Sequence, residues 1–185
     1  MTENLIIIPA KKHSNRLENK NMINANGKPL IEYTINFVQQ ENMDCELIVT
    51  TDSEETISYC NNLNIKTIFR DQSLIGETPI FDVYCDVIVK KFANIPPKLT
   101  IGLQPDHPDR TTSLRDAIYF FKSNNLDVMY SQNSNKEKNG SYFFFSDYYY
   151  LNKKSRKTKY FVDDATNIHN EDDLIKACKN LKKEN

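Results

Sequence analysis

The stretch Leu5-Ile-Ile-Ile-Pro9 limits what this chain can fold into more than any other. Four successive apolar residues with no polar alternation read as a short strand buried on both faces, the pattern of a parallel α/β sheet. Pro9 has no N–H for the ladder and ends the strand. A polar loop dense in cations and donors follows: Lys11, Lys12, His13, Ser14, Asn15, Arg16 and, farther on, Lys20. Open sheets of this kind place ligands beyond the carboxyl ends of their strands, and cations with small donors suit phosphates. The loop lacks the glycines of a Walker A or dinucleotide-binding turn, so those two modes are excluded. Composition alone also allows a solvated basic loop.

Downstream, short apolar runs alternate with amphipathic ones. Pro29 stands where a helix can begin, and Leu30, Ile31, Tyr33, Thr34, Phe37 and Val38 recur at helical spacing. Glu46–Thr50 and Lys66–Phe69 read as further strands, with a helix between them capped by Asp52 or Ser53 and begun by Glu54 and Glu55. A helix over Ile80 to Phe92, a strand Leu99–Leu103, a helix from Leu114 capped by Ser113, and a strand Asp127–Ser131 continue the pattern. Gln132 to Asn139 has the composition of a mobile loop, and the aromatic stretch Ser141 to Tyr150 reads as one strand or as strand-turn-strand. The basic run Asn152 to Lys159 reads as a solvated loop, and Glu171 to Lys182 as a closing helix. This alternation predicts a three-layer α/β fold, with a mainly parallel Rossmann-like sheet in a single domain over residues 1–185.

A net charge of −1 gives no global reason to expect nucleic acid or an anionic membrane as partner. No apolar run reaches membrane-spanning length, and the N-terminal stretch does not read as a signal peptide, so a cytoplasmic location is expected. Cys45, Cys60, Cys85 and Cys178 are widely spaced and form no CxxC pair; they read as small buried hydrophobes in a reducing compartment.

Ile7-Ile-Pro-Ala-Lys-Lys-His-Ser-Asn-Arg-Leu-Glu-Asn-Lys-Asn21 resembles the signature loop of the CMP-sialic acid synthetases (acylneuraminate cytidylyltransferases), IIPARSGSKGIPxKN. Gly27-Lys-Pro-Leu-Ile-Glu-Tyr-Thr-Ile35 is similar to that family's GKPLIxYTI. Leu47-Ile-Val-Thr-Thr-Asp-Ser-Glu-Glu55 is similar to (I/V)VSTDSEE, and Leu103-Gln-Pro-Asp-His-Pro-Asp-Arg110 to LQPTSPLR. Weaker likenesses follow, of Gly140-Ser-Tyr-Phe-Phe144 to NGAIY and of Asn167-Ile-His-Asn-Glu-Asp-Asp-Leu174 to DIDTEEDL. Ser14, Lys20 and Asn21 are kept. Lys11 replaces an arginine, His13 a glycine, and Asn15-Arg16 a Lys-Gly pair.

The resemblance implies the nucleotide-diphospho-sugar transferase type of fold and the transfer of CMP from CTP to an acidic sugar of the nonulosonic or sialic type, releasing pyrophosphate. It implies Lys11 and Lys20 as catalytic phosphate partners, with Ser14, Asn21, Arg70, Ser73 and Gln104 along the nucleotide. It also implies Mg²⁺, which needs hard oxygen ligands. The family's two metal-binding aspartates fall on Asn167 and His169 here. Asp106 replaces the threonine of LQPTSP, where the related CMP-KDO synthetases carry an aspartate in QGDEP. Asp106, with His169, is therefore the expected metal pair, aided by Asp109, Asp163 or Asp164. With a histidine ligand, Mn²⁺ becomes the alternative to Mg²⁺. The stretch from Arg110 to Gly140 is shorter than in the family, where it carries acceptor-sugar contacts and a dimerisation arm, so a homodimer stays an open expectation.

Two other readings stay open: a catalytically degenerate relative that binds nucleotide, and a protein-interaction module displaying the aromatic segment Tyr142 to Tyr150.

Overall fold

The structure, a computed structural model, describes residues 4–14, 17–93 and 95–182. Leu5 to Ile8 lie within the first strand, β1 (Asn4–Pro9), every residue of which is buried. A two-residue hairpin, β2 (Asn24–Ala25) and β3 (Lys28–Pro29), turns through Asn26 and Gly27, both at positive φ, and leads into helix α1 (Leu30–Gln40). Then come β4 (Glu46–Thr51), α2 (Glu54–Asn62), β5 (Lys66–Phe69), α3 (Ile80–Phe92), β6 (Leu99–Gly102) and α4 (Leu114–Ser123). Ser53, not Asp52, caps α2, accepting from the Thr56 N–H; Ser113 caps α4 in the same way.

The chain closes with β7 (Val128–Gln132), β8 (Lys138–Ser146), α5 (Asp147–Asn152), β9 (Thr158–Val162) and α6 (Glu171–Leu181). Three segments depart from the sequence reading. Gln132 to Asn139 is a tight connection, in which Asn133 N donates to Glu137 O at 2.9 Å and Lys136 adopts positive φ. The aromatic stretch is one strand followed by a helix, because Ser146 ends β8 and caps α5 at the Tyr149 N–H. The basic run holds the start of β9 and is fastened rather than free. Arg156 donates to both oxygens of buried Asp127 and lies 3.5 Å from the centre of the Tyr148 ring.

The main sheet has the order β5-β4-β1-β6-β8-β7-β9. β1 pairs in parallel with both β4 and β6, so the Leu5 and Leu99 strands share one sheet, and only β8 runs against the rest. Helices cover both faces. Ile6, Ile8 and Ile101 pack with Ile31 and Ile35 of α1, Cys60 of α2 and Phe121 of α4. Leu5, Ile7 and Ile48 pack on the other face with Tyr84, Val87 and Ile88 of α3 and Tyr150 of α5.

The alternation of β8 serves both layers: Tyr142 and Phe144 enter the first cluster, Phe143 and Phe145 the second. These four aromatics are buried, which removes the support for an interaction module displaying them. A third cluster joins α6 to α1 through Leu30, Ile168 and Ala177. No helix among the described residues is long and apolar enough to cross a membrane.

Candidate active site

The loops that leave β1, β5 and β6 at their carboxyl ends converge on one cleft of about 250 Å³. Lys11 and Ser14 come from the loop after β1, and Lys20 and Asn21 from the short 3-10 turn Lys20–Met22. Arg70 follows β5, while Gln104 and Asp106 follow β6. Seven of the residues singled out in the sequence thus line a single cavity. Ser73 does not: it is exposed in the turn Gln72–Leu74, and Gly76 and Thr78 of the same connection line the cleft instead, with Ile80 at the start of α3. No sequence signal singled out Gly76 or Thr78, and Ile80 stood out only as the start of a helix. Asn15 and Arg16 lie outside the described residues.

Each cation is placed by a different device. Buried Asn21 donates from Nδ2 to Lys11 O at 2.8 Å and so fixes the backbone that presents Lys11. Among the described residues Lys11 has no ion-pair partner. Lys20 Nζ lies 2.5 Å from Asp106 Oδ2 and also donates to Ile168 O at 3.1 Å. Arg70 is buried and donates from Nε (2.8 Å) and Nη2 to Leu74 O, tying the 71–78 connection to the end of β5. Burial works against the Arg70 charge, and Asp52 partly offsets that.

The β6 loop is itself buried from Pro105 to Arg110. Arg110 organises it, donating to Gln104 O (2.7 Å), His107 O (2.5 Å), Ser141 O (3.2 Å) and Thr34 Oγ1 (3.1 Å). Its guanidinium lies against the Phe37 and Tyr142 rings. Arg110 is therefore a scaffold for the loop that carries Asp106. Burial opposes ionisation of Asp106, but His107 and Lys20 more than offset it and hold the carboxyl well below the usual aspartate range. His107 is fully buried, with Nδ1 2.9 Å from Asp106 Oδ1 but out of line for a hydrogen bond.

A cationic cleft at a strand-end crevice, with one ionised carboxylate in its floor, suits a polyphosphate. The cytidylyltransferase family model matches residues 5–177. This chain belongs to the cytidylyltransferase family. It is 32% identical over 117 residues to the 3-deoxy-manno-octulosonate cytidylyltransferase of Bdellovibrio bacteriovorus, a match covering 60% of this chain and 42% of that protein. It is 38% identical over 73 residues to the pseudaminic acid cytidylyltransferase of Campylobacter jejuni, covering 39% of this chain and 32% of that one. The chain thus spans less than half the length of the curated relatives it matches.

Among solved structures, a CMP:2-keto-3-deoxy-manno-octonic acid synthetase complexed with CTP superposes with a TM-score of 0.78 at 16% identity. That match covers 99% of this chain and 100% of that one. A 4-diphosphocytidyl-2C-methyl-D-erythritol synthase from Anaerococcus prevotii gives 0.65 at 13% identity, covering 97% and 96%. These two likenesses establish the nucleotidyltransferase type of Rossmann-like fold.

For a cytidylyltransferase, the residues expected at the metal are dispersed. Asn167 and His169 line a second groove, of about 540 Å³, with Asn139 and Asp164. The reason is the alternation of an extended segment. Ile168 buries its side chain in the third cluster, and its backbone N–H donates to Asp106 O at 3.0 Å. The side chains on either side of it then face elsewhere: Asn167 Nδ2 donates to Asn139 O at 3.1 Å.

The three auxiliary aspartates are engaged as well. Asp109 accepts from Thr166 N, Thr166 Oγ1 and Asn180 Nδ2, and Asp163 from the backbone and hydroxyls of Thr111 and Thr112. Asp164 accepts from Ser134. Among the described residues no group of three or more His, Cys, Asp or Glu side chains is arranged to hold a metal ion. Asp106 is paired with Lys20 in the cleft and His169 lines the other groove, so the two residues of the expected pair are not brought together in this structure.

Proposed function

We propose that this chain binds CTP across the Lys11–Lys20–Arg70 cleft and transfers CMP to an acidic sugar, of the KDO type or of the nonulosonic (sialic, pseudaminic) type. One observation carries the reading: three cations and the neutral groups of Ser14, Asn21 and Gln104, drawn from separate loops, converge where the sheet's strands end. In the reaction an acceptor hydroxyl attacks the α-phosphorus and gives up its proton to solvent. The bond from that phosphorus to the oxygen bridging to the β-phosphate breaks, and pyrophosphate leaves with the electron pair. Lys11 and Lys20 stabilise the charge gathering on the phosphate oxygens, and Arg70 holds the nucleotide end of the cleft. Asp106 orients Lys20 and, once Lys20 turns to the phosphates, faces the reacting group. A divalent ion, were one bound, would supply charge neutralisation at the phosphates, and Asp106 is the carboxylate of this cleft that would face it.

A second reading, a relative that binds nucleotide without turnover, is favoured by the Lys20–Asp106 pair and by the outward placement of Asn167 and His169. Both are tested by pyrophosphate release with CTP and a panel of KDO, pseudaminic and sialic acids, beside equilibrium CTP binding. Lys11→Glu is expected to weaken CTP binding at least about tenfold, since charge reversal a few ångströms from a polyanion changes the energy by well over 1.4 kcal/mol. Lys157→Glu, in the run beside β9, is expected to change it less than about twofold. Equal effects of the two would remove the cleft as the nucleotide site. CTP binding without turnover on any acceptor would select the second reading.

A further inference from the structure

The loop after β1 must hold Lys11 and Ser14 toward the cleft without the glycines that form phosphate-cradling turns, and its own sequence offers little to fix it. The fasteners come from the corner between β4 and α2. Lys12 N donates to Asp52 Oδ1 at 2.7 Å, and Asn19 Nδ2 donates to Glu55 Oε2 at 2.8 Å. Asp52 is available because Ser53 has taken over the cap of α2. The backbone bond from Ala10 N to Thr50 O (2.9 Å) leads into the first fastener, and the Asn21–Lys11 bond lies just beyond the second. Two carboxylates three residues apart therefore grip the two ends of the loop. They stand behind it, against a cavity of about 580 Å³ that Lys12 and His13 line, while Lys11 and Ser14 line the cleft.

We infer that Asp52 and Glu55 are positioning residues that set the β1 loop for the triphosphate, a deepening that rests on the nucleotide reading above. Electrostatics makes the inference sharp. Removing a carboxylate near a polyanion would by itself tighten binding, so weaker binding together with faster loop exchange points to a displaced loop. Asp52 also faces Arg70, and Asn19→Ala, which removes no charge, separates the loop from that effect.

The experiment follows hydrogen exchange of residues 10–20 in the nucleotide-free protein, together with CTP titration, for Asp52→Ala, Asp52→Asn, Glu55→Ala and Asn19→Ala. Asp52→Ala is expected to speed exchange in the loop at least about tenfold and to weaken CTP binding about tenfold, with the thermal midpoint held because the contact lies at the surface. Asp52→Asn keeps an acceptor oxygen for the Lys12 N–H, so it should restore both properties to within about threefold of the parent. Glu55→Ala and Asn19→Ala break one bond from opposite sides and should speed loop exchange to equal extents, while Asn19→Ala should weaken CTP binding more, because Glu55→Ala also removes a negative charge.

Unchanged loop exchange in Asp52→Ala overturns the inference, as does faster exchange with CTP affinity held at the parent's value. An Asp52→Asn variant as weak as Asp52→Ala would show that charge, not the hydrogen bond, is responsible, and overturns it too. A parent that does not bind CTP defeats the nucleotide reading, while the exchange data still decide whether the two carboxylates hold the loop.

Discussion

Replacing Lys20 by methionine keeps the aliphatic stem and removes the ammonium, which leaves Asp106 with buried His107 as its neighbour and without its cation on the cleft side. The side chains of this pair are 15% and 12% exposed, and Nζ–Oδ2 is 2.5 Å. Breaking a buried pair from one side costs about 3–5 kcal/mol, to which the lost bond to Ile168 O adds about 1 kcal/mol. Residual solvent contact brings the expectation back to about 3 kcal/mol at pH 7. The variant could escape by protonating Asp106. From an ordinary value near 3.9, that costs about 4 kcal/mol at pH 7 but only about 1.5 kcal/mol at pH 5.

The pH dependence follows from the direction of each shift. In the parent the folded carboxyl is depressed, so its contribution is full above about pH 4 and is lost as pH falls through the folded value. In the variant the Lys20 part of that depression is lost while the His107 part stays, so the carboxyl moves up from its parent value and less stability is gained as pH rises through the acid range. The gap between parent and variant should therefore be about 3 kcal/mol at pH 7 and smaller at about pH 3, where protonation of Asp106 begins to remove the pair. Urea denaturation followed by circular dichroism at both pH values measures it. Adding Asp106→Asn to Lys20→Met removes the orphan charge and should recover most of the loss, to within about 1.5 kcal/mol of the parent. A single variant that loses less than about 1 kcal/mol, or a double variant no better than the single, would refute the view that this pair is a desolvated unit.

Gly102→Ala should destabilise by about 3 kcal/mol in the same assay, because a Cβ there would overlap the hydroxyl end of the fully buried Tyr84 ring. Tyr84→Phe should be neutral or stabilising by up to about 1 kcal/mol, since its buried hydroxyl has no partner among the described residues, and it should ease the Gly102→Ala penalty. Asn170→Ala removes the capping box of α6 and should cost about 1 kcal/mol, read as a lower thermal midpoint.

The parts of this fold that were legible in the sequence are those in which burial on two faces leaves one pattern. Leu5–Ile8 and Leu47–Val49 are unbroken apolar runs, Leu99–Ile101 is interrupted only by Thr100, and they are the central parallel strands. The cleft was legible for the same reason, because residues that directly follow such strands must emerge at one edge. Lys11, Arg70, Gln104 and Asp106 all do so.

Sequence failed where direction depends on a neighbour. Tyr148 to Tyr150 suits strand and helix alike, and only the Ser146 cap decides for the helix. β9 hides behind a basic run because its inner residue, Phe161, alternates with exposed ones. Asn167 and His169 stand two residues apart and so share a side, but nothing in their spacing says which side Ile168 will claim. The family resemblance places Ser73 beside the nucleotide, yet the Arg70 bonds to Leu74 O set the connection so that Gly76 and Thr78 reach the cleft.

The reversed strand β8 carries a consequence of its own. Strands running with β1 deliver their final residues to the cleft, whereas β8 delivers its first ones: Gly140 sits against the Gln104 amide, and Ser141 O receives Arg110. One half of the cleft is built by segments that leave the sheet, and the opposite half by a segment that enters it. Lengthening or shortening the connection between β7 and β8 therefore reshapes one half without moving the other. On the function proposed above, the acceptor can change while the grip on the nucleotide is kept, which makes the short 133–137 connection the place where descendants of this chain can change partner at least cost to the fold.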